Sequence, residues 1–265
     1  MKILPDLIVQ PQGGLCNRMR TIAGVYKIAK ALNKKLVVLW VRNSELNESF
    51  SHLFAPMPFR VVDDHPGSII QKWLWRLVNR TSFFTVIDDE MILNMGWRDS
   101  STLEWTKELA NKNLVICACH DITKDSDYSI FKPIDSIKKR NPIGISDNVI
   151  GIHIRRTDNE KSVSCSPTGL FVQKMHEEIK DGEDVKFFLA TDDPQEEALL
   201  KERFGNRIII NPKTSLDRNN PIAIQEALLD LYSLSRCRKI YGSYYSSFSD
   251  VAAIWGNVEK TIVKK

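Results

Sequence analysis

The sequence predicts an α/β protein of two domains, each built on a parallel β-sheet. The chain has 265 residues, of which 43% are hydrophobic, so it can bury more than one typical core. Short apolar runs alternate with amphipathic stretches, which indicates βαβ units and parallel sheets. A polar segment containing Pro133 and Pro142 separates two such series, and we therefore expect domains at residues 1–140 and 141–265.

The first series begins with an apolar run and an amphipathic helix. Five runs predict strands, at residues 7–10, 35–41, 59–63, 83–87 and 113–119. Residues 17–33 predict a helix, because their apolar side chains recur at helical spacing on one face: Met19, Ile22, Ala23, Tyr26, Ala29 and Leu32.

The second series shows a clearer alternation of strands and helices. The predicted strands are residues 149–154, 185–191, 207–211, 239–242 and 260–263. The predicted helices between them are residues 170–180, 195–204, 222–235 and 248–255.

Composition narrows the class of protein. Five cysteines are an odd number without framework spacing, so we expect reduced thiols rather than a secreted disulfide scaffold. No stretch of about 18 apolar residues predicts a membrane span, and Pro5 and Asp6 interrupt the first apolar run. We expect a cytoplasmic protein, with peripheral attachment to a membrane left open.

Charge is distributed unevenly along the chain. Residues 1–140 carry 20 Lys and Arg against 15 Asp and Glu, within a net charge of +4. The basic half suits an anionic acceptor, a membrane surface or nucleic acid. Because there is no run of five like charges and no aromatic-basic RNA-binding pattern, we expect no nucleic-acid partner.

A glycine pair follows the first predicted strand and opens the first helix. Ligands bind beyond the carboxyl ends of parallel strands, where Gly13 and Gly14 allow close backbone approach and the helix start offers amides to an anion. Arg18 sits in the first helical turn, where the helix dipole disfavours a cation. A bound anion would compensate it. The alternative is a tight turn followed by exposed arginines.

Two arginines stand where the strand at residues 149–154 ends. Arg155 and Arg156 suit a diphosphate, because guanidinium groups bind phosphate oxygens through two parallel hydrogen bonds. Asp158 could orient one arginine or contact a sugar. A surface salt-bridge cluster is the alternative for the arginines, and a hydrogen-bonded core position is the alternative for His153.

The strand at residues 185–191 is followed by two aspartates. Asp193, Pro194 and Glu196 predict a helix start resembling a capping box. Asp192, one residue earlier, could accept hydrogen bonds from a base or ribose, or serve only in the turn. A hydroxyl-rich turn follows the strand at residues 239–242 and offers hydroxyls and amides to phosphate.

These stretches together resemble a known family. The runs HIRRTD (153–158), FLATDDP (188–194), LDLYSLS (229–235) and SSFS (246–249) resemble the second domain of the α1,6-fucosyltransferases and rhizobial nodulation fucosyltransferases. The opening GGLCNRMR resembles the glycine-rich loop of the wider GDP-fucose-dependent superfamily. The resemblance implies a GT-B fold of two Rossmann-like domains and a metal-independent, inverting transfer of fucose from GDP-fucose to a glycan or glycoconjugate.

The resemblance also implies roles for individual residues. Arg155 would hold the β-phosphate and stabilise the departing GDP. The other residues expected at the donor are Gly13, Gly14, Asn17 and Arg18 in the first loop, His153, Arg156 and Asp158 around the diphosphate and sugar, Asp192, Asp193 and Asp230 on the guanosine side, and Ser247, Phe248 and Ser249 near phosphate.

The pattern departs from the family after Asp158. Asn159 replaces a lysine, and Val163 occupies the position of the glutamate proposed as base. We take Glu160 as the candidate base, so the predicted catalytic residues are Arg155, Asp158 and Glu160.

Alternatives to this function stay open at the level of the sequence. The chain could use another nucleotide sugar, or bind a nucleotide sugar without catalysis, because a fold fixes neither donor nor acceptor. Cys117, Cys119 and His120 form a weak metal motif, which we interpret as small buried thiols. We expect no metal and no cofactor beyond the donor substrate.

Overall fold

The computed structural model describes residues 6–80, 83–94, 109–123, 125–142, 148–157, 159–182 and 184–265. The chain divides into two compact units. The first comprises Met1–Ile134 and Asp217–Ile224, and the second comprises Asp135–Leu216 and Gln225–Lys265.

The first unit contains a five-stranded parallel sheet of order β3-β2-β1-β5-β4. Its strands are β1 (Leu7–Pro11), β2 (Leu36–Val41), β3 (Arg60–Asp64), β4 (Phe84–Asp88) and β5 (Asn113–Ala118). Leu7 pairs with Leu36 on one side and with Leu114 on the other. Strands β1, β2 and β5 are almost wholly buried, as expected for strands covered on both faces.

Helices connect these strands. They are α1 (Leu15–Ala31), α2 (Ile69–Arg80) and α3 (Asp89–Asn94), and a 3₁₀ turn covers Phe50–His52. Within the described ranges, no helix is both long and apolar enough to cross a membrane.

The second unit contains a parallel sheet of order β10-β9-β6-β7-β8. Its strands are β6 (Val149–Ile154), β7 (Lys186–Thr191), β8 (Ile208–Ile209), β9 (Lys239–Ser243) and β10 (Glu259–Val263). Its helices are α4 (Asp135–Lys138), α5 (Glu160–Cys165), α6 (Thr168–Asp181), α7 (Pro194–Phe204), α8 (Pro221–Leu234) and α9 (Ser247–Gly256). The first turn of α8 groups with the first unit.

Both sheets confirm the predicted α/β class with two Rossmann-like parallel sheets. In each, strand order reverses beside the first strand, at β1/β5 and at β6/β9. Such a topological switch point opens a crevice at the carboxyl ends of the strands, where ligands bind in open α/β sheets. We therefore expect ligand-binding residues directly after β1 and β5 and directly after β6 and β9.

One predicted strand is shorter than expected. Residues 207–211 were expected to pair, but only Ile208 and Ile209 pair with β7. The chain leaves the sheet where the amide of Asn211 donates to Asp230 Oδ1 at 2.8 Å. A buried side-chain hydrogen bond thus replaces the end of the strand.

Candidate functional site

Three strand ends of the second unit are joined by side-chain hydrogen bonds. The backbone N–H of Arg155, just after β6, donates to Ser243 Oγ at the end of β9 (3.1 Å). The backbone N–H of Arg156 donates to Asp192 Oδ1, just after β7 (2.7 Å). These bonds hold the two arginines at the switch point between β6 and β9, where the sequence predicts them.

Asp192 orients the side chain of Arg155. Its Oδ2 lies 3.2 Å from Arg155 Nε, and the two side chains are 20% and 22% exposed. The same oxygen accepts from the Thr157 hydroxyl at 2.8 Å. A partly exposed, oriented guanidinium can bind an anion through two parallel hydrogen bonds.

Arg156 lies deeper than Arg155. Its Nε contacts Glu196 Oε1 at 2.6 Å, with both side chains only 11–12% exposed. A second nitrogen of Arg156 donates to Thr168 Oγ1 at 2.9 Å, and Thr168 donates to Glu196 at 2.5 Å. This triad of Arg156, Glu196 and Thr168 braces the loop after β6.

The start of α7 differs from the predicted capping box at Glu196. Asp193 is the N-cap of α7 and accepts from Gln195 N at 2.8 Å, as predicted, and Pro194 is the first helical residue. Glu196 does not complete a capping box, because the Asp193 N–H donates to Thr191 Oγ1 and the Glu196 carboxylate pairs with Arg156. A ligand contact by Asp193 stays a prediction.

His153 is buried on β6 behind the arginines. Its ring stacks on Phe248 with centroids 5.0 Å apart and planes 21° apart. Burial, with the positive charge of Arg155 second, lowers the pKa of His153 to about 3, so the ring is neutral at physiological pH. Among the described residues, Nδ1 finds no hydrogen-bond partner. The core position considered as the alternative for His153 is therefore observed, although Nδ1 makes no hydrogen bond, and its contact with the donor stays a prediction.

The turn between β9 and α9 lies beside Arg155. Tyr245 adopts a left-handed conformation at φ 56°, and its carbonyl accepts from Asn159 Nδ2 at 2.8 Å. Helix α9 then begins at Ser247, and its N-cap Ser246 makes no side-chain capping bond. A helix start of this kind presents amides and a positive dipole end to an anion.

The predicted serines and phenylalanine of α9 face different surroundings. Ser247 and Phe248 form the first turn and are partly exposed. Ser249 is fully buried, and its hydroxyl contacts Ser246 O at 3.4 Å. The structure therefore brings Ser247 and Phe248 to the helix start near Arg155, whereas Ser249 packs inward.

Asp230 belongs to a separate buried cluster. Its carboxylate accepts from Asn211 and lies 3.2 Å from Lys213 Nζ. Burial raises the pKa of Asp230, and Lys213 opposes that rise. A buried ion pair with an amide partner explains its position, and its predicted role beside guanosine stays a prediction.

The other two predicted catalytic residues follow Thr157. Asp158 lies outside the described residues. Glu160 is the exposed first residue of α5, a short helix whose N-cap Asn159 accepts from Ser162 N. The stretch in which the sequence departs from the family pattern is thus a helix start.

The glycine loop of the first unit is organised from inside by Arg18. This side chain is fully buried and donates to Gly13 O (2.8 Å), Val41 O (2.7 Å) and Asn43 Oδ1 (2.9 Å). It also lies over the Trp40 ring at 4.9 Å. Burial lowers its pKa to about 10, which still leaves it charged. Arg18 is therefore not exposed to solvent, and its side chain does not present an exposed site for an anion.

Glycine is favoured at positions 13 and 14 for different local reasons. Gly13 has φ +77°, and a Cβ there would lie 2.6 Å from Asn17 Nδ2. Gly14 is the N-cap of α1 and has no side chain to cap it. The loop after β1 thus packs against Asn17 and is pinned by Arg18, and binding of a ligand by these four residues stays a prediction.

One group of side chains in the first unit has metal-ligand chemistry. Asp89, Cys119 and His120 bring a carboxylate, a thiol and an imidazole within 4.8 Å of one another. His120 Nδ1 lies 2.5 Å from Asp89 Oδ1, and burial, then Asp89, raises the pKa of Cys119 to about 11. These side chains already contact one another: His120 is hydrogen-bonded to the Asp89 carboxylate, and Cys119 is a neutral thiol beside it. Cys117, the third member of the sequence motif, is buried on β5.

Comparison with known proteins gives matches only at the level of structure. No family model matches the sequence, and no curated protein sequence matches it.

Solved structures that match cover nearly the whole chain. NodZ α1,6-fucosyltransferase soaked with GDP-fucose has a TM-score of 0.61 at 19% identity, over 94% of this chain and 92% of that one. A mutant of FUT1 from Arabidopsis thaliana in complex with GDP has a TM-score of 0.62 at 12% identity, over 97% and 69%. POFUT1 in complex with GDP-fucose has a TM-score of 0.56 at 12% identity, over 97% of each chain. At these identities the likeness establishes the fold, and the predicted GT-B-like class is confirmed.

Proposed function

We propose that the chain is a glycosyltransferase that transfers fucose from GDP-fucose to a carbohydrate or glycoconjugate. The observation that carries the proposal is the pair Arg155 and Arg156 at the end of β6, locked by Asp192 and Glu196 beside the start of α9. The fold adds support, because enzymes that share it were crystallised with GDP or GDP-fucose.

The site suits the charge that develops when a glycosyl bond to a diphosphate breaks. The sugar gains oxocarbenium character, and the leaving diphosphate gains negative charge. In the proposed reaction Arg155 binds the β-phosphate, and the first amides of α9 face the same diphosphate. Because both are oriented before the reaction, they stabilise the leaving group without reorganisation.

The residues behind Arg155 act by positioning it. Asp192 holds the guanidinium, Glu196 and Thr168 hold Arg156, and Ser243 holds the backbone of the loop. His153 supports the loop as a neutral ring, so it adds no positive charge to the site. In this proposal Asp193 and Asp230 keep their predicted place on the guanosine side, and Ser249 supports α9 from beneath.

The acceptor hydroxyl must lose a proton during the transfer. We assign that role to Glu160, whose carboxylate is exposed at the start of α5, and the contact with the sugar to Asp158. The loop of Gly13, Gly14, Asn17 and Arg18 is assigned to ligand binding through its backbone, because the Arg18 side chain is occupied internally.

Release of GDP tests the proposal and its alternatives. Purified protein is incubated with GDP-fucose, GDP-mannose or UDP-galactose, and liberated nucleoside diphosphate is measured with and without glycan extract and chelator. We expect release from GDP-fucose, stimulated by extract and unchanged by chelator. Release from another donor would identify another transferase, whereas binding without release would identify a non-catalytic binding protein. Loss of release in chelator, reproduced by Asp89→Asn, would assign a metal to the cluster of Asp89, Cys119 and His120.

A further inference from the structure

One face of the first sheet carries an open apolar cavity. Helix α2 packs on this face through Leu74, which is 3% exposed, and its neighbours Trp75, Leu77 and Val78 pack into the same core cluster. Beside the helix lies a cavity of about 420 Å³, a volume within the range of about 300–1,000 Å³ typical of ligand sites. Its walls are sheet residues such as Ile8, Leu39 and Val62, together with residues of α2.

The start of α2 exposes large apolar side chains at the edge of this cavity. Ile69 is 85% exposed, Ile70 is 48% exposed and Trp73 is 53% exposed, and all three line the cavity. Contiguous exposed apolar surface on a soluble protein marks an interaction site. The α2 side chains that pack into the core cluster are Leu74, Trp75, Leu77 and Val78 instead.

The charged residues of α2 and of the cavity wall are all basic. The twelve residues of α2 include three basic residues, Lys72, Arg76 and Arg80, and no acidic residue. Lys72 and Arg76 are exposed, and Arg60 of β3 lines the cavity. A helix with exposed Trp and Ile beside Lys and Arg has the composition of helices that lie in the headgroup region of a bilayer.

We propose that α2 and the cavity beside it dock on an anionic lipid bilayer, with Ile69, Ile70 and Trp73 entering the acyl region. The basic side chains meet lipid phosphates, and an acyl chain enters the cavity. A second copy of the chain is a poorer occupant, because a two-fold contact through α2 would place like charges opposite one another. The proposal concerns the first unit alone and holds whichever nucleotide sugar the second unit binds.

Vesicle flotation with the full chain tests this docking. The vesicles are phosphatidylcholine alone or phosphatidylcholine with 30% phosphatidylglycerol, each at low and high salt. We expect binding to the anionic vesicles that weakens with salt. Lys72→Gln with Arg76→Gln should weaken it roughly 25-fold, at about fivefold for each charge removed. Ile69→Ser with Trp73→Ser should weaken it at least about tenfold.

A matched control removes exposed apolar surface elsewhere. Leu199→Ser with Ile254→Ser changes two side chains that are 45% and 55% exposed and should leave flotation unchanged. Circular dichroism confirms folding of each variant, and sedimentation velocity gives the oligomeric state. Failure of the wild type to float, or equal loss in the α2 variants and the control, overturns the proposal. Dimers that the α2 variants convert to monomers, without vesicle binding, would instead identify a second copy as the occupant.

Discussion

The two adjacent arginines of the second unit have different surroundings, and we propose different roles for them. Arg156 is 11% exposed and held by Glu196 and Thr168, so it braces the loop after β6. Arg155 is 22% exposed, and its Nε contacts Asp192. We assign the contact with the leaving diphosphate to Arg155 because its side chain is the more exposed of the two.

Substitution of Arg155 should affect the transition state more than donor binding. The leaving diphosphate gains charge as the glycosyl bond breaks, so an interaction there is strongest at that moment. We expect Arg155→Ala to lower kcat by roughly 10²- to 10³-fold, by analogy with removal of one oxyanion donor. Arg155→Lys should stay impaired, because lysine lacks the planar pair of donors.

Steady-state kinetics and thermal melts of the three proteins check this expectation. Melts close to that of the wild type would show that the variants fold. A near-normal kcat with only a raised KM in Arg155→Ala would make the residue a uniform binding group and contradict the assignment.

His153 should make the stability of the fold depend on pH. Its pKa of about 3 in the folded chain lies below the unfolded value of about 6.5, so protons bind the unfolded chain preferentially. Its contribution to stability is complete above about pH 6.5 and declines as pH falls towards 3, by up to ~1.4 kcal/mol per pH unit.

Urea denaturation at pH 7 and pH 5 measures this contribution. Between these values the wild type should lose about 2 kcal/mol more stability than His153→Gln, which cannot titrate there. Equal losses in the two proteins would show that His153 is protonated as easily in the folded chain as in the unfolded one.

Sequence reasoning could find the arginines but not their partners. Arg155 and Arg156 were predictable because two cations at the end of an apolar strand are unusual and face a known ligand position. Glu196 was assigned to a helix cap, because its pairing with a residue 40 positions earlier leaves no local pattern. The internal hydrogen bonds of Arg18 were not predictable for the same reason, since its acceptors Val41 and Asn43 are more than 20 residues away.

At the scale of elements, the contact between β9 and α9 fixes the helix start that faces the proposed diphosphate. Gly242 lies against Ser249, and a Cβ at Gly242 would be 2.5 Å from Ser249 Oγ and 2.7 Å from its Cβ. The helix can therefore approach the strand this closely only over a glycine. This packing explains why Ser249 is buried beneath the site.

Gly242→Ala should destabilise the second unit and disturb the helix start. Forcing a methyl group into this contact typically costs about 1–3 kcal/mol, and a shifted α9 should weaken GDP binding. The same substitution at Gly169 in α6, where a Cβ would meet nothing within 4 Å, should be neutral or stabilise by up to ~1 kcal/mol. Thermal melts and GDP titrations of both variants check the pair, and equal effects at the two sites would contradict the packing argument.

The elements that the sequence did not predict are short or peripheral. Helices α3, α4 and α5 have six, four and six residues, too few to show a helical period. Helix α2 is different: it has twelve residues, and its apolar pairs at positions 69–70, 73–74 and 77–78 have helical spacing, so the sequence contains its signal although we did not predict it. The central strands β1, β2, β5, β6, β7 and β9 were predictable to within a residue or two because parallel strands buried on both faces are nearly continuous apolar runs.

At the scale of the whole molecule, the alternation of strands and helices predicted the two parallel sheets. It did not predict that residues 217–224 group with the first unit. This grouping depends on contacts between distant parts of the chain, such as the hydrogen bonds that Asn47 donates to the carbonyls of Arg218 and Asn219. Local periodicity contains no information about such contacts.

We propose that the second unit binds a guanosine diphosphate sugar at Arg155. Isothermal titration calorimetry of the wild type and of Arg155→Ala with GDP, UDP and ADP tests it most directly. The account predicts that GDP binds the wild type at least about tenfold more tightly than UDP or ADP, which is a difference of about 1.4 kcal/mol, and that Arg155→Ala weakens GDP binding. Equal affinities for the three nucleotides, or GDP binding that Arg155→Ala leaves unchanged, would contradict it.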